Sequence, residues 1–414
     1  MRVHCLGAGR EVGRSCFLLE TDQRVLFDYG LKIFNYGSSK ENMYPVPYQG
    51  SVDAAFLSHA HLDHSGLIPE LYSRGPINWF STPPTYELSA LLWEDSMKIM
   101  GEGLPYTEQQ FRKALNGHIP LLYGQTVTLG ATRYKFYDAG HIAGSAIIEA
   151  KYKGKKLLYS GDFKMEDTRM HNGAVAPGEV DALILESTYS NREHPDREKT
   201  EDALADLVSD TLDDGGSVLF PSFAVGRSQE LISILHENIS GIQIYLDGMS
   251  KEVTRTYLKY PEYLRDFEEF EEALESVIFV EGARDRKDAA TTPSVIISTA
   301  GMMEGGPALS YMLNLNPASR IVFTGYCVEG TNGWRIQKEN KVMVDKNLLD
   351  VPFPVSYFDF SAHAGRSDLL KFVKETNPGK IILNHGDRTE EFASELKAMG
   401  FNAVAPRNGD SIDI

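Results

Sequence analysis

Residues 58–66 read SHAHLDHSG. Four of those side chains, His59, His61, Asp63 and His64, carry atoms that bind metal ions. The preceding run, DAAFLSH (53–59), has the short apolar character of a strand; the following one, SGLIPELY (65–72), turns toward a helix. In an extended segment, residues two apart point the same way, so His59 and His61 can grip one ion together. Asp63 and His64 come as the chain turns and can face a second. Imidazole nitrogen and carboxylate oxygen form a natural donor set for Zn2+. The chain of 414 residues has only 11 histidines, so a chance surface cluster accounts poorly for this spacing.

Two ions need more ligands than these four. YDAGHIAGS (137–145) supplies His141 between glycines that let backbone and substrate approach closely. LLYSGDF (157–163) places Asp162 after an apolar run, where a carboxylate can bridge both ions, and ILNHGD (382–387) offers His385 in the same kind of position. Asp28 in LFDYG (26–30) fits a carboxylate that orients a ligand histidine from behind. Taken alone, His141, Asp162 or His385 would more often be structural. Beside H-x-H-x-D-H the balance reverses.

The rest of the chain repeats one theme: a short β-rich run, a polar or glycine-containing loop, then often a helical pattern. The clearest strands are RVLFDYG, DAAFLSH, KLLYSGD, DALILES, SVLFPS, QIYLDG, SVIISTAG, RIVFTGY and KIILNHG; helices are expected at about 86–100, 107–116, 200–213, 228–238, 250–258, 366–375 and 389–399. Runs rich in Val, Ile, Leu and Phe suit sheets covered on both faces, and the class is α/β. Asp28, His59, His61, Asp162, Glu186 and His385 all fall where strands run out, as ligand sites do in α/β folds. The charged break NREHPDREKT (191–200) opens a fresh strand–helix series without such clusters, and histidines return at 363 and 385. The pattern implies one domain inserted into another: 1–190 and 356–414 for the outer domain, 191–355 for the insert.

Composition sets the outer bounds. A hydrophobic fraction of 42% and a charged fraction of 24% are those of a soluble globular protein. No apolar run reaches the roughly 18 residues of a membrane span, and the N-terminus does not read as a signal peptide. Three cysteines, Cys5, Cys16 and Cys327, argue against a disulfide framework and fit a reducing cytoplasm. The formal net charge of −17 weighs against tight non-specific nucleic-acid binding. It weighs little against a metal-lined cleft that binds phosphate locally.

The set Asp28, His59-x-His61-x-Asp63-His64, His141 and Asp162 resembles the four motifs of the metallo-β-lactamase superfamily. Glu186 in ILESTYSNR, His363 in DFSAHAG and His385 in LNHGD resemble the further motifs of its β-CASP branch, which includes RNase J and the cleavage-and-polyadenylation endonuclease. FPSFAVGRSQE, YLDGMS, STAGMMEGG and FTGYCVEGTNG are similar to segments of the β-CASP domain, so the likeness spans 1 to 414. It implies an αββα sandwich carrying an inserted α/β β-CASP domain, in a short form without added domains. It also implies two Zn2+ per chain: His59, His61 and His141 on one, Asp63, His64 and His385 on the other, and Asp162 between them. Glu186 and His363 would form a pair at the leaving group.

The reaction then expected is hydrolysis of RNA phosphodiester bonds. Two zinc ions bring water toward ionisation at neutral pH, and a histidine held by a carboxylate can protonate a departing 3′-oxygen. Asp63, Asp162, Glu186 and His363 are the catalytic candidates. RNA phosphate contacts are expected from Ser361, His363, Arg227, Ser222, Ser298, Thr299 and Gly301, and base stacking from Phe223, Tyr326 or Trp334. The run KYKGKK (151–156) reads as a solvated hairpin turn. GMMEGGPALSYM (301–312) is similar to the endonuclease type, and RNase J differs there. The alternatives are a 5′–3′ exoribonuclease, a small-molecule metallo-hydrolase, or a scaffold subunit. The partners implied are single-stranded RNA and either a second copy or subunits of an RNA-processing complex, with no membrane.

Overall fold

The computed structural model describes residues 1–32 and 44–414. The chain divides into two compact units: Met1–Asp167, Asn172–Glu193 and Ala362–Ile414 form the first; Thr168–His171 and His194–Ser361 form the second. The sequence pattern suggests crossings at 190/191 and 355/356. The second crossing falls later because Val355–Tyr357 is still a strand of the second unit's sheet.

Two seven-stranded sheets build the first unit. One runs Ser411–Asp413, Arg2–Cys5, Phe17–Glu20, Arg24–Phe27, Ala54–Phe56, Asn78–Ser81, His118–Pro120; the other runs Ala403–Val404, Ile381–Asn384, Ala182–Glu186, Lys155–Tyr159, Ala146–Tyr152, Thr132–Asp138, Thr126–Leu129. Alternation along the strands assigns the layers. Phe17, Leu19, Val25 and Phe27 face Tyr134, Phe136, Ile148, Leu157 and Tyr159 in a core between the sheets. Leu18 and Leu26 point the other way, into a layer with Trp79 and Trp93. Leu158, Leu183 and Leu383 point outward against Phe372 and Leu396 of the helices Arg366–Thr376 and Thr389–Ala398. The result is helices, sheet, sheet, helices, the expected αββα sandwich.

The second unit is an α/β insert. Its six strands are all parallel, in the order Val277–Phe279, Ile244–Asp247, Val295–Ser298, Val218–Pro221, Arg320–Phe323, Val355–Tyr357. An antiparallel hairpin, Lys341–Val344 with Asn347–Asp350, stands apart from that sheet. Each of the nine strand runs singled out in the sequence forms a strand. The helices expected at 86–100 and 200–213 start earlier, at Pro83 and Arg197, where Thr82 and Asp196 cap them. Among the described residues, no helix is long and apolar enough to cross a membrane. Cys5, Cys16 and Cys327 are buried free thiols.

Candidate active site

Strand ends deliver most of the chemistry of the first unit. Asp28 follows Arg24–Phe27, His59 lies three residues beyond Ala54–Phe56, and Asp162 lies three beyond Lys155–Tyr159; Glu186 ends its strand and His385 follows Ile381–Asn384. Asp63 and His64 differ from expectation. They sit within a single helical turn, Leu62–Ser65, and SGLIPELY continues as a 3-10 turn, Ile68–Ser73.

These strand ends bring the candidate ligands together. Ligand atoms of His59, His61, His141 and Asp162 lie within 4.8 Å of one another, and so do those of Asp63, His64 and His385. Asp162 Oδ2 stands 3.6 Å from His59 Nε2, 3.3 Å from His64 Nε2 and 3.9 Å from His141 Nε2; Oδ1 stands 3.6 Å from His385 Nδ1. Asp63 Oδ2 is 3.1 Å from His385 Nε2 and 4.0 Å from His64 Nε2. Donors at zinc distances around a tetrahedral ion are about 3.4 Å apart, so these separations are those of ligands sharing an ion.

Four of the imidazoles are tied from behind. Nδ1–H of His64 donates to Asp28 (2.7 Å), that of His141 to the carbonyl of Ala362 (2.9 Å), that of His59 to Ser58 Oγ (3.1 Å) and that of His385 to Thr188 Oγ1 (3.1 Å). Each bond fixes the tautomer that leaves Nε2 as a lone-pair donor, as second-sphere partners of metal-bound histidine do. His61 presents Nδ1 instead, 3.1 Å from His141 Nε2. Burial pushes the imidazoles of His59, His61 and His141 below their ordinary range, which keeps them neutral and able to ligate. His59 Nε2 and Asp162 Oδ1 are buried without a hydrogen-bond partner. Orphaned lone pairs of this kind, inside a cluster of imidazoles and carboxylates, fit a divalent cation.

Beside the cluster, Glu186 is fully buried and receives the backbone N–H of Phe163 (3.1 Å) and the hydroxyl of Thr188 (2.6 Å). His363 Nδ1 donates to the same carboxylate at 3.1 Å. Burial works against protonation of His363, but Glu186 and Asp162 outweigh it and hold its pKa above the ordinary range. The His363 ring also packs on His141 and meets Tyr189 edge-on, with the Arg192 guanidinium over the tyrosine face.

The candidate RNA-contact residues, except His363, belong to the second unit. Ser222 follows Val218–Pro221, and its N–H bonds the carbonyl of Ser298 on the neighbouring strand. Thr299 and Gly301 come next, and a Cβ at Gly301 would come within 3.0 Å of the Ser222 backbone. Arg227 opens the helix Arg227–Asn238. The hydroxyls of Ser222 and Ser298 are buried and turn to the carbonyls of Phe223 and Thr299. Ser361 is largely buried, and its N–H bonds Asp359. Phe223 and Tyr326 are exposed, whereas Trp334 packs against the core. Reading the sequence missed Ser58, Tyr159 and Thr188, which hold Asp28, His59, Glu186 and His385. Thr188 lies within ESTY, directly after a predicted strand end. That position was the one available signal.

Comparison with known proteins accords with this geometry. Residues 49–207 match the metallo-beta-lactamase superfamily, 228–336 the Beta-Casp domain, and 349–406 the Zn-dependent metallo-hydrolase RNA specificity domain. The chain is 36% identical over 433 residues to a probable RNase, MJ4, of Methanocaldococcus jannaschii, covering 100% of both. It is 32% identical to RNase aCSPSF2 of Saccharolobus solfataricus, covering 99% of this chain and 84% of that one. It is 35% identical to the transcription termination factor FttA of M. jannaschii, covering 100% and 72%. A crystal structure of a protein of unknown function from Enterococcus faecalis shares the fold at a TM-score of 0.65 and 15% identity, over 99% of each chain. With these matches running the length of the chain, it belongs to the β-CASP family of the metallo-β-lactamase superfamily.

Proposed function

We propose that this protein is a two-zinc ribonuclease that cuts single-stranded RNA internally, in RNA processing or decay. The supporting observation is the convergence of seven side chains, His59, His61, Asp63, His64, His141, Asp162 and His385, beside the Glu186–His363 pair. His59, His61 and His141 would hold one ion and Asp63, His64 and His385 the other, with Asp162 shared. Bound there, the ions supply Lewis acidity toward water and phosphate oxygen. His363, oriented through Nδ1 by Glu186, gives its Nε2 proton to the departing 3′-oxygen. Ser222, Arg227, Ser298, Thr299, Gly301 and Ser361 are the proposed phosphate contacts, and Asp28 positions His64. The relatives named as RNases favour RNA as substrate, and the relative named as a termination factor favours nascent transcripts among the RNAs cut.

Incubating the purified protein with circular RNA and end-labelled linear RNA tests the proposal. Circles are opened, a chelator abolishes the cut, metal analysis finds two zinc per chain, and Asp162→Ala and His363→Ala lose at least about 100-fold in rate. Circles left intact while linear RNA is degraded from one end would establish an exonuclease instead.

A further inference from the structure

The outer face of the first unit's second sheet carries an arrangement that the hydrolytic site does not use. On Thr132–Asp138, residues Arg133, Lys135 and Tyr137 share one face. Arg133 lies directly opposite Lys151 on Ala146–Tyr152, and Lys151 lies directly opposite Lys156 on Lys155–Tyr159. Three cations therefore stand side by side in one cross-strand row, at the strand spacing of about 4.8 Å. Lys135 stands in the next row opposite Glu149. Like charges directly opposite one another destabilise a sheet, and this chain has a formal net charge of −17. Carboxylates to break up the row are abundant in its composition, yet among the described residues Glu149 is the one that lines the cleft, where it takes the Tyr137 hydroxyl at 3.0 Å and Lys156 at 3.8 Å, while Asp181 accepts the backbone N–H of Lys156 at the row's end. Among the described residues, Arg133, Lys135 and Lys151 have no carboxylate within 4.0 Å. The side chains border a shallow cleft of about 270 Å3. Within the face, Lys135 lies over the Tyr137 ring at 4.7 Å.

We infer that this face is a docking surface for the sugar–phosphate backbone of single-stranded RNA. The argument is charge complementarity: a row of three closely spaced cations, of which only Lys156 has a carboxylate partner, beside an aromatic ring is the composition of a sequence-tolerant polyanion groove. Identifying the occupant as RNA rests on the ribonuclease reading. Lys156 stands six residues before Asp162, and the stretch of strand from Lys156 to its end at Tyr159 alone spans about 10 Å at 3.3 Å per residue. The face therefore grips RNA well away from the bond that is cut, and it favours chains long enough to reach both places.

The test is RNA binding by full-length Asp162→Ala protein, with and without the added substitutions Arg133→Gln, Lys151→Gln and Lys156→Gln. A control removes the same charge elsewhere, by Lys98→Gln, Lys113→Gln and Lys199→Gln. The face variant is expected to weaken binding of a long unstructured RNA at least about tenfold. Its slope of log affinity against log salt should shrink by about 2, from roughly 0.7 for each of three lost phosphate contacts. A short oligonucleotide loses nothing, and the melting temperature holds or rises because like-charge opposition is relieved. Affinity and salt slope equal to the control's would overturn the inference, whatever partner the face then served. Binding is read here in protein disabled for cleavage, so failure of the ribonuclease reading would appear separately, as RNA uncut by the unsubstituted protein.

Discussion

Asp28 holds a left-handed backbone conformation, φ 57°, and no solvent reaches it. It accepts from Ser58 N, Ser58 Oγ, the Tyr159 hydroxyl and His64 Nδ1, at 2.6 to 2.7 Å. Asp28→Asn turns an amide N–H toward donors and removes the anion that fixes His64. Zinc affinity should fall about 10- to 100-fold, which competition with a chromogenic chelator will measure; unaltered affinity would show that His64 needs no such anchor. Thr188 joins the two halves of the site, taking Nδ1–H of His385 and giving its own proton to Glu186. A hydrogen bond to a charged group is worth about 1.5–3 kcal/mol, so Thr188→Val should slow cleavage roughly 10- to 100-fold, and Thr188→Ser should restore it. Equal rates in Val and Ser variants would refute that role. Glu186 and Asp162 raise the His363 pKa to about 9, so His363 is protonated below that value and the acid role proposed for it would be lost as pH rises through it. Glu186→Gln should therefore move the basic limb of the kcat/KM profile to lower pH. The candidate ligands stood out in the sequence because H-x-H-x-D-H is local and rare. Ser58, Tyr159 and Thr188 were not, because a common hydroxyl gains its role only from what the fold places 2.6–3.1 Å away.

At the scale of elements, the turn Leu62–Ser65, which carries Asp63 and His64, is held by its neighbour in space. Tyr29 N–H bonds the His64 carbonyl and Leu31 N–H that of Leu62, both at 2.8 Å, while Ser15 N–H bonds Asp63 at 2.7 Å. The contact is close enough that a Cβ on Gly30 would stand 1.7 Å from the Asp63 carbonyl oxygen. Gly30→Ala must push the two segments apart, with an overpacking cost of about 1–3 kcal/mol. Zinc content per folded chain should drop, whereas Gly75→Ala, whose Cβ would meet nothing within 4 Å, should bind zinc normally; full zinc loading of Gly30→Ala would sink the argument. The core strands were legible as runs of Val, Ile, Leu and Phe because both their faces are covered. Edge strands such as Thr126–Leu129 and His118–Pro120 were not, because one face meets solvent and the apolar signal is diluted. The short helices Phe267–Leu274 and Asn332–Glu339 escaped for a related reason, each burying only a few residues.

Across the whole molecule, each unit keeps a histidine away from the candidate metal cluster, half-buried His118 in the first and buried His171 in the second. Burial pushes His118 in the first unit and His171 in the second down to about 4. Both are neutral in the folded protein, and their ordinary value is about 6.5. The stability they contribute is intact above 6.5 and is lost as pH falls from there toward 4. Melting temperature should decline across that window, and His171→Asn should flatten the decline; an unchanged slope would exclude His171 as a cause. The insertion was legible because clustered chemistry vanished after 191 and returned near 360. Its closing boundary was not, because a sixth parallel strand, Val355–Tyr357, looks in sequence like the start of the returning outer domain.

The strand Ser411–Asp413 pairs with Arg2–Cys5, and the ligands extend from position 59 to 385. A ribosome therefore finishes the inserted unit before it has made His363, His385 or the last strands of the outer sheets. A nascent chain at that stage lacks two side chains of the proposed site, so on that proposal the half-made protein cannot cut the message from which it is being translated.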